Sequence, residues 1–593
     1  MSEFWIHPSL ILFAGAAILP LLRAPERRIW LLAVPAVVLA LVLTMPTGQF
    51  GSVAVLEWTL VFGRVDALSR VFAVIMALMC LIGSLYALKV EDTGQHVAAW
   101  TYVGGSLGVI FAGDLLVVFL FWELMAVSSV FLIWARRTPQ SLAAGFRYLL
   151  VHTFGGVALL AGIVLHGAAQ GGDFGFEAFA RAEAGPGTWL ILIGILLNAA
   201  AVPLHSWLPD AYPAATFSGS VFLSAFTTKT AVYALCRGFA GFEILIVLGV
   251  VMALYGVVYA FLVNDPRRLL SYHIVSQVGF MVAGVGIGTA MAVNGAVAHA
   301  FAHILYKGLL FMGCGAVLHM TGRSKFTELG GLYARMPWTM FFTLIGALSI
   351  SAVPLFSGFV SKGMTIAAGY DAHHYTAAFL LMLASVGTFV SINLKLVYFI
   401  WFGARRADNE TWERAADPGW NMTAAMGVTA LLCFLIGVFP GTLYALLPHA
   451  VDYRPFTSYH LSETLQLLAF AALGFYLLRK KLEPKAATSL DIDWFYRVGG
   501  RGLAWVAAVP LQALDRMWAV IHETGGIRQL MRSALGVGRF DNSVVDGAVD
   551  GTARAVRVLG NRLRPAQRGS LQQSLTLAFA ALAVLLLLLY FLA

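Results

Sequence analysis

The chain has 593 residues and a formal net charge of +9, with 60% of its residues hydrophobic and only 12% charged. Soluble domains carry roughly 25% charged residues, so this composition excludes a set of soluble domains and points to an α-helical membrane protein. In such a chain the positive excess belongs to cytoplasmic loops, not to a nucleic-acid-binding surface.

About sixteen apolar segments are long enough to span a bilayer. Their cores fall at 8–23, 29–45, 66–88, 97–113, 115–135, 142–168, 187–208, 214–237, 242–263, 268–288, 291–320, 337–368, 375–403, 421–447, 461–478 and 571–593. The first follows SEFWIHP, with no basic n-region and no small-residue cleavage site, and reads as a retained helix. Segment 337–368 is too long for one straight helix and is interrupted by Pro354 and Gly358; the segment ending near Pro203 carries a similar break. Loops after odd-numbered segments hold the basic residues, among them Arg27, Arg28, Arg136, Arg137, Arg267, Arg268, Arg405 and Arg406. Loops after even-numbered segments hold few, so the odd loops are expected in the cytoplasm and both termini on the outer side. Residues 479–570 place apolar residues at helical spacing among Arg, Asp, Glu and Gln. That pattern reads as an amphipathic helix along the membrane or against partner subunits. The last segment is a plain anchor.

Several ionisable residues lie inside these apolar runs: Glu123, Lys229, His299, His303, Lys307, Lys362 and Lys395. A charge at bilayer depth costs a few kcal/mol even on lenient scales, so a series of them in successive segments reads as a proton or ion path. His299, His303 and Lys307 are spaced i, i+4, i+8 and share one helical face within about 12 Å of rise. Imidazoles titrate near neutral pH and pass protons. A structural polar stripe is the plainer reading of the same three residues. Lys229, Lys395 and Arg147 are near enough to segment ends for their stems to snorkel. Two histidines make no metal site, the four cysteines form no CxxC pair, and no nucleotide-binding glycine motif is present. No cofactor or metal is expected.

AVPLHSW at 201–207 returns as AVPLFSG at 352–358, an offset of 151 that also maps His152 onto His303. Five segments per copy, 4–8 and 9–13, would place the copies in opposite orientation. Inverted repeats with paired broken helices mark a transport site near the midplane. The expected fold is therefore all-α, with two inverted five-helix repeats, broken helices 7 and 12, and a lateral amphipathic helix. The divisions are N-terminal helices 1–95, first repeat 96–240, second repeat 241–405, additional helices 406–480, amphipathic region 481–570 and anchor 571–593.

VPLHSWLPDAYPAAT, NDPRRLLSYHIVSQVGFM, HAFAHILYKGLLFMGCG and PLFSGFVSK resemble the antiporter-like subunits of respiratory complex I. They equally resemble the large subunits of Mrp-type multisubunit cation/proton antiporters. The resemblance runs from about residue 60 to 450. The core looks most like the D-type large subunit of the Mrp antiporters, and the tail VVDGAVDG…RPAQRGSLQQ is similar to the end of the distal complex I antiporter-like subunit. The resemblance implies that Glu123 is the helix-5 glutamate, Lys229 the helix-8 lysine, His299, His303 and Lys307 the central relay, and Lys362 the lysine of broken helix 12. The partners it implies are other membrane subunits, protons and Na⁺, in the bilayer. One position departs from the family pattern. The usual lysine five residues before the proline of broken helix 7 is here Asn198, in GILLNAAAVPLH, beside His205 of the same motif. Glu123 then lacks its usual counter-charge unless Lys229 or Arg147 supplies it.

Overall fold

The computed structural model describes residues 5–486, 490–567 and 570–592. The start of SEFWIHP, residues 487–489 and 568–569 of the amphipathic region and the last residue of the anchor lie outside the described residues. Two compact units are present, Met1–Asp493 and Trp494–Ala593.

The first unit begins with α1 (Pro8–Ile18) and α2 (Ala24–Thr44), then a β-hairpin, β1 (Gly48–Val55) and β2 (Trp58–Val65). The all-α expectation is corrected here. The strands pair antiparallel with Val55 opposite Trp58, leaving Leu56-Glu57 as a two-residue turn. Leu56 takes a positive φ of 56°. Such turns are usually announced by Asn-Gly or Asp-Gly, so this one has no sequence signal.

Next come α3 (Ala67–Tyr86), α4 (Thr93–Phe111), α5 (Leu115–Trp134), α6 (Pro139–Ala169), α7 (Pro186–Asn198), α8 (Trp207–Ala214), α9 (Gly219–Ala225) and α10 (Thr227–Gly238). They are followed by α11 (Ile244–Leu262), α12 (Pro266–Ile287), α13 (Ala290–Thr321), α14 (Pro337–Ile350), α15 (Ser357–Asp371) and α16 (Tyr375–Phe389), which continues as a π-helix over Val390–Phe402. The short α17 (Asn409–Arg414), α18 (Trp420–Val438), the short α19 (Gly441–Tyr444) and α20 (Ser458–Leu478) complete the unit. Many helices open on an acidic or hydroxyl cap: Asp66, Asp114, Asp265 and Thr289 each accept from backbone N–H groups of the first turn. Among the described residues eleven helices are long and apolar enough to cross a membrane, and three shorter apolar ones add to them.

Polarity in this unit is reversed relative to a soluble protein. Phe131, Phe154, Val157, Val247 and Val258 are exposed, while His299, His303, Lys307 and Lys362 are fully buried. Lipid solvates the first set, and the second must find its partners inside. Helices α11 and α12 approach backbone to backbone through Gly249, Gly256 and Gly279, where any side chain would collide with the facing main chain.

The second unit takes α21 (Asp493–Val506) from its second residue onward, and holds α22 (Gln512–Ile521), α23 (Arg528–Phe540), α24 (Asp546–Leu563) and α25 (Leu571–Leu592). Turns of π-helix join the first four, one carrying Pro510 and another Gly525-Gly526.

Candidate functional site: a buried polar series between two helix breaks

Both expected breaks are present and end alike. Helix α7 stops at Asn198 and α14 at Ile350; Ala200 and Ala352 then take φ of 57° and 56°. The N–H two residues past each C-cap, Ala201 and Val353, donates back to Leu196 O at 2.9 Å and Leu348 O at 3.1 Å. This is a Schellman-type stop, held here on alanine instead of the glycine that usually takes this conformation. The equivalent terminators lie 152 residues apart, not 151. The first break has one more residue, Val202, between its terminator and its proline.

Around the first break, Glu123 of α5 lies against Gly156 of α6, where a methyl group would collide with Oε1. Among the described residues Oε1 has no hydrogen-bond partner and Glu123 forms no ion pair. His152 of α6 is fully enclosed between Tyr148 and Trp207, with ring centroids 4.0 and 4.5 Å away. It lies beside Asn198, but neither its ring nitrogens nor the carboxamide makes a hydrogen bond of good geometry. Neither expected counter-charge reaches Glu123. Arg147 grips Asp210 of α8 with two bonds of 2.7 and 3.0 Å. Lys229 donates to Ser224 O at 2.5 Å.

The Lys229 contact exposes a third break. Helix α9 ends at Ala225, Phe226 is kinked, and α10 starts at Thr227. Ser224 O is thus one of the orphan carbonyls that every helix end leaves. The same pattern holds for two other buried lysines. Lys362 donates to Ile350 O, the last residue of α14, at 2.6 Å, and lies 5.2 Å from the centre of the Phe280 ring. Lys395 donates to Ala260, Phe261 and Val263 carbonyls at 3.3, 2.5 and 2.8 Å, closing the end of α11. The negative end of a helix dipole and its free carbonyls face these amines, which form no ion pair with a carboxylate among the described residues. For Lys395 the contact is a helix cap, a role that its place in the sequence does not separate from proton transfer.

Between the breaks, α13 carries the central residues. His299 Nδ1 is 3.0 Å from Ser361 Oγ, and its Nε2 is 3.3 Å from Tyr306 OH. Tyr306 OH is 3.4 Å from Gln277 Oε1, whose amide donates to Thr388 at 3.3 Å. His303 packs against His299 and Tyr306 with centroids at 6.2 and 5.3 Å, and neither ring nitrogen has a hydrogen-bond partner among the described residues. Lys307 donates to Leu270 O at 3.0 Å. His273, Gln277 and Tyr306 belong to this series, although they were not among the residues expected in it. His273 is bonded to Ser391 Oγ at 2.7 Å and sits among Lys307, Lys362 and Lys395. The signal was available in YHIVSQVGF, a polar face within an apolar segment.

His205 has a partner that sequence spacing cannot reveal. Its Nε2 is 3.4 Å from Asp491 Oδ2, and the Tyr255 and Tyr272 hydroxyls donate to the same carboxylate. Burial alone raises the Asp491 carboxyl, but these hydrogen bonds outweigh it and hold the group well below the usual carboxylate range. Finally, a cavity of about 500 Å³ has Lys362 in its wall, between α15, α16 and α20.

Residues 112–389 match the family described as NADH:quinone oxidoreductase/Mrp antiporter, transmembrane. Hydrogenase-4 component B of Escherichia coli is 29% identical over 420 residues, covering 63% of this chain and 62% of that protein. The core, expected to be nearest the D-type Mrp subunit, aligns with a Na⁺/H⁺ antiporter subunit A1 of Staphylococcus haemolyticus, 29% identical over 495 residues, 74% of this chain and 61% of the relative. The chain thus spans about three fifths of the length of these two relatives. The structure of the Mrp complex from Dietzia sp. DQ12-45-1b superposes with a TM-score of 0.73 at 25% identity, covering 89% of this chain and 62% of that one. The buried polar series lies almost wholly inside the matched segment, over which the chain is similar to the NADH:quinone oxidoreductase/Mrp antiporter transmembrane family.

Proposed function

We propose that this chain is a proton-translocating, antiporter-like subunit of a multisubunit complex in a bacterial inner membrane, exchanging protons for a cation such as Na⁺. About sixteen spans place both termini on the outer side. Helices α4–α10 and α11–α16 act as two inverted half-channels, met at their breaks by Glu123 and Lys362. His303, His299 and Lys307 carry protons between them, with Lys229 at the entry to the central stretch. The amphipathic run α21–α24 is the docking arm for other membrane subunits. One observation carries this reading: ionisable side chains, each fully buried, follow one another from α10 through α13 to α15, where lipid-exposed positions would be free of them.

Glu123→Ala, His303→Ala and Lys362→Ala are each expected to abolish ΔpH-driven exchange in everted vesicles of cells making the whole complex. Exchange unchanged in all three variants overturns the reading. A second reading, a proton-pumping subunit of an NADH:quinone oxidoreductase-like or hydrogenase complex, draws support from the 420-residue alignment with hydrogenase-4 component B. Iron–sulfur or flavin subunits co-purifying in mild detergent decide for it.

A further inference from the structure

The cavity beside Lys362 has a second wall that the matched family segment does not reach. Helix α20 and the loop before it lie beyond residue 389 and supply Tyr453, His460 and Glu463. The His460 ring stacks on Phe359 of α15 at 4.4 Å with an interplanar angle of 11°. It also presses on Gly363, the residue after Lys362: a methyl there would stand 2.7 Å from His460 Cε1 and would strike the Tyr453 hydroxyl. The glycine is what lets the ring sit this close to the lysine's helix.

The tautomer of His460 follows from one contact. Nδ1 is 2.9 Å from Pro455 O, and a carbonyl only accepts, so Nδ1 carries the hydrogen. In the neutral ring Nε2 is therefore the basic nitrogen. It has no hydrogen-bond partner among the described residues, and the ring lines the cavity. Glu463, one turn further along α20, lines the same space. A volume of about 500 Å³ accommodates on the order of a dozen waters.

We propose that His460 is a further proton-transfer residue, linking Lys362 to the outer aqueous phase through this cavity. The inference rests on the half-channel reading of Lys362. In the outward step the Lys362 ammonium gives up one proton, which reaches His460 Nε2 directly or across cavity water, leaving a neutral amine and an imidazolium. The imidazolium then releases that proton from Nε2 to water at the outer face, and the neutral ring is restored. No other bond changes.

The test uses everted vesicles of the whole complex, with the outer face in the lumen. His460→Ala and His460→Gln are expected to slow ΔpH-driven exchange about tenfold or more, the lower range for loss of a positioned acid–base group. Imidazole loaded into the lumen is expected to restore His460→Ala but not Lys362→Ala. Should His460→Ala fail to assemble, Gly363→Ala, which displaces the ring without altering it, carries the same expected loss. Wild-type rates in both His460 variants while Lys362→Ala is inactive overturn this proposal and leave the half-channel reading intact. Loss of exchange that imidazole does not restore also overturns it, since the ring then serves packing alone. Exchange persisting in Lys362→Ala overturns the parent reading instead.

Discussion

The two helix breaks end on the same backbone device yet carry different chemistry. At the second, Lys362 turns onto the last carbonyl of α14. At the first, the neutral Asn198 is the last residue of α7, and Trp207 Nε1 donates to Leu197 O at 3.0 Å. The amine of the first half sits one helix later, on Ser224 O at the end of α9. A buried lysine needs a concentration of partial negative charge, and any helix terminus provides one. The cation can therefore move between neighbouring breaks without a carboxylate moving with it. Glu123 is left as the only acidic member of the proposed series, held by packing on Gly156 and not by an ion pair.

The difference between the two breaks is largest at the lysines. Lys362→Met and Lys229→Met are each expected to lower exchange by about 10²-fold or more, since both remove a proton carrier and strand a helix-end carbonyl. If the two first-half positions are interchangeable, Asn198→Lys in the Lys229→Met background recovers at least about a tenth of the lost rate, as measured by dye quenching in vesicles. No recovery ties the amine to α10. A smaller effect tests the acid. Gly156→Ala forces the Glu123 carboxylate aside, and because that group is the far end of a flexible side chain the fold should lose no more than about 1 kcal/mol. Exchange is expected to fall about tenfold while the thermal midpoint of the purified complex holds. A midpoint that falls with the rate points to a packing defect instead.

The smallest expected effect lies at Asp491, behind the first break. Its folded-state pKa is depressed, so the stabilisation it adds is fully present above the unfolded value of about 4 and fades as pH falls through and below it. Asp491→Asn should therefore lower the thermal midpoint at pH 7, with the gap to wild type closing only under acid conditions. A gap independent of pH assigns the loss to packing against Tyr255 and Tyr272 rather than to charge.

Much of this was legible in the chain. Hydropathy placed the spans, since a run of about 20 apolar residues matches the thickness of a bilayer's hydrocarbon core. Spacing put His299, His303 and Lys307 on one face because helical geometry leaves no choice, and the AVPL pair announced both breaks. What escaped did so for identifiable reasons. The Leu56-Glu57 turn lacks the residues that favour its conformation, and the kink at Phe226 contains neither proline nor glycine. Asp491 meets His205 across 286 positions, as their numbers show.

Hydropathy and helical period are local properties, so they identify the side chains buried in a membrane from the chain alone. What each buried group faces depends on how the helices pack. Glu123 faces a glycine, Arg147 an aspartate, and three lysines the ends of helices α9, α14 and α11. These partners come from elements that meet only when the helices pack, and a carbonyl freed by a helix end carries no mark in the sequence of its residue.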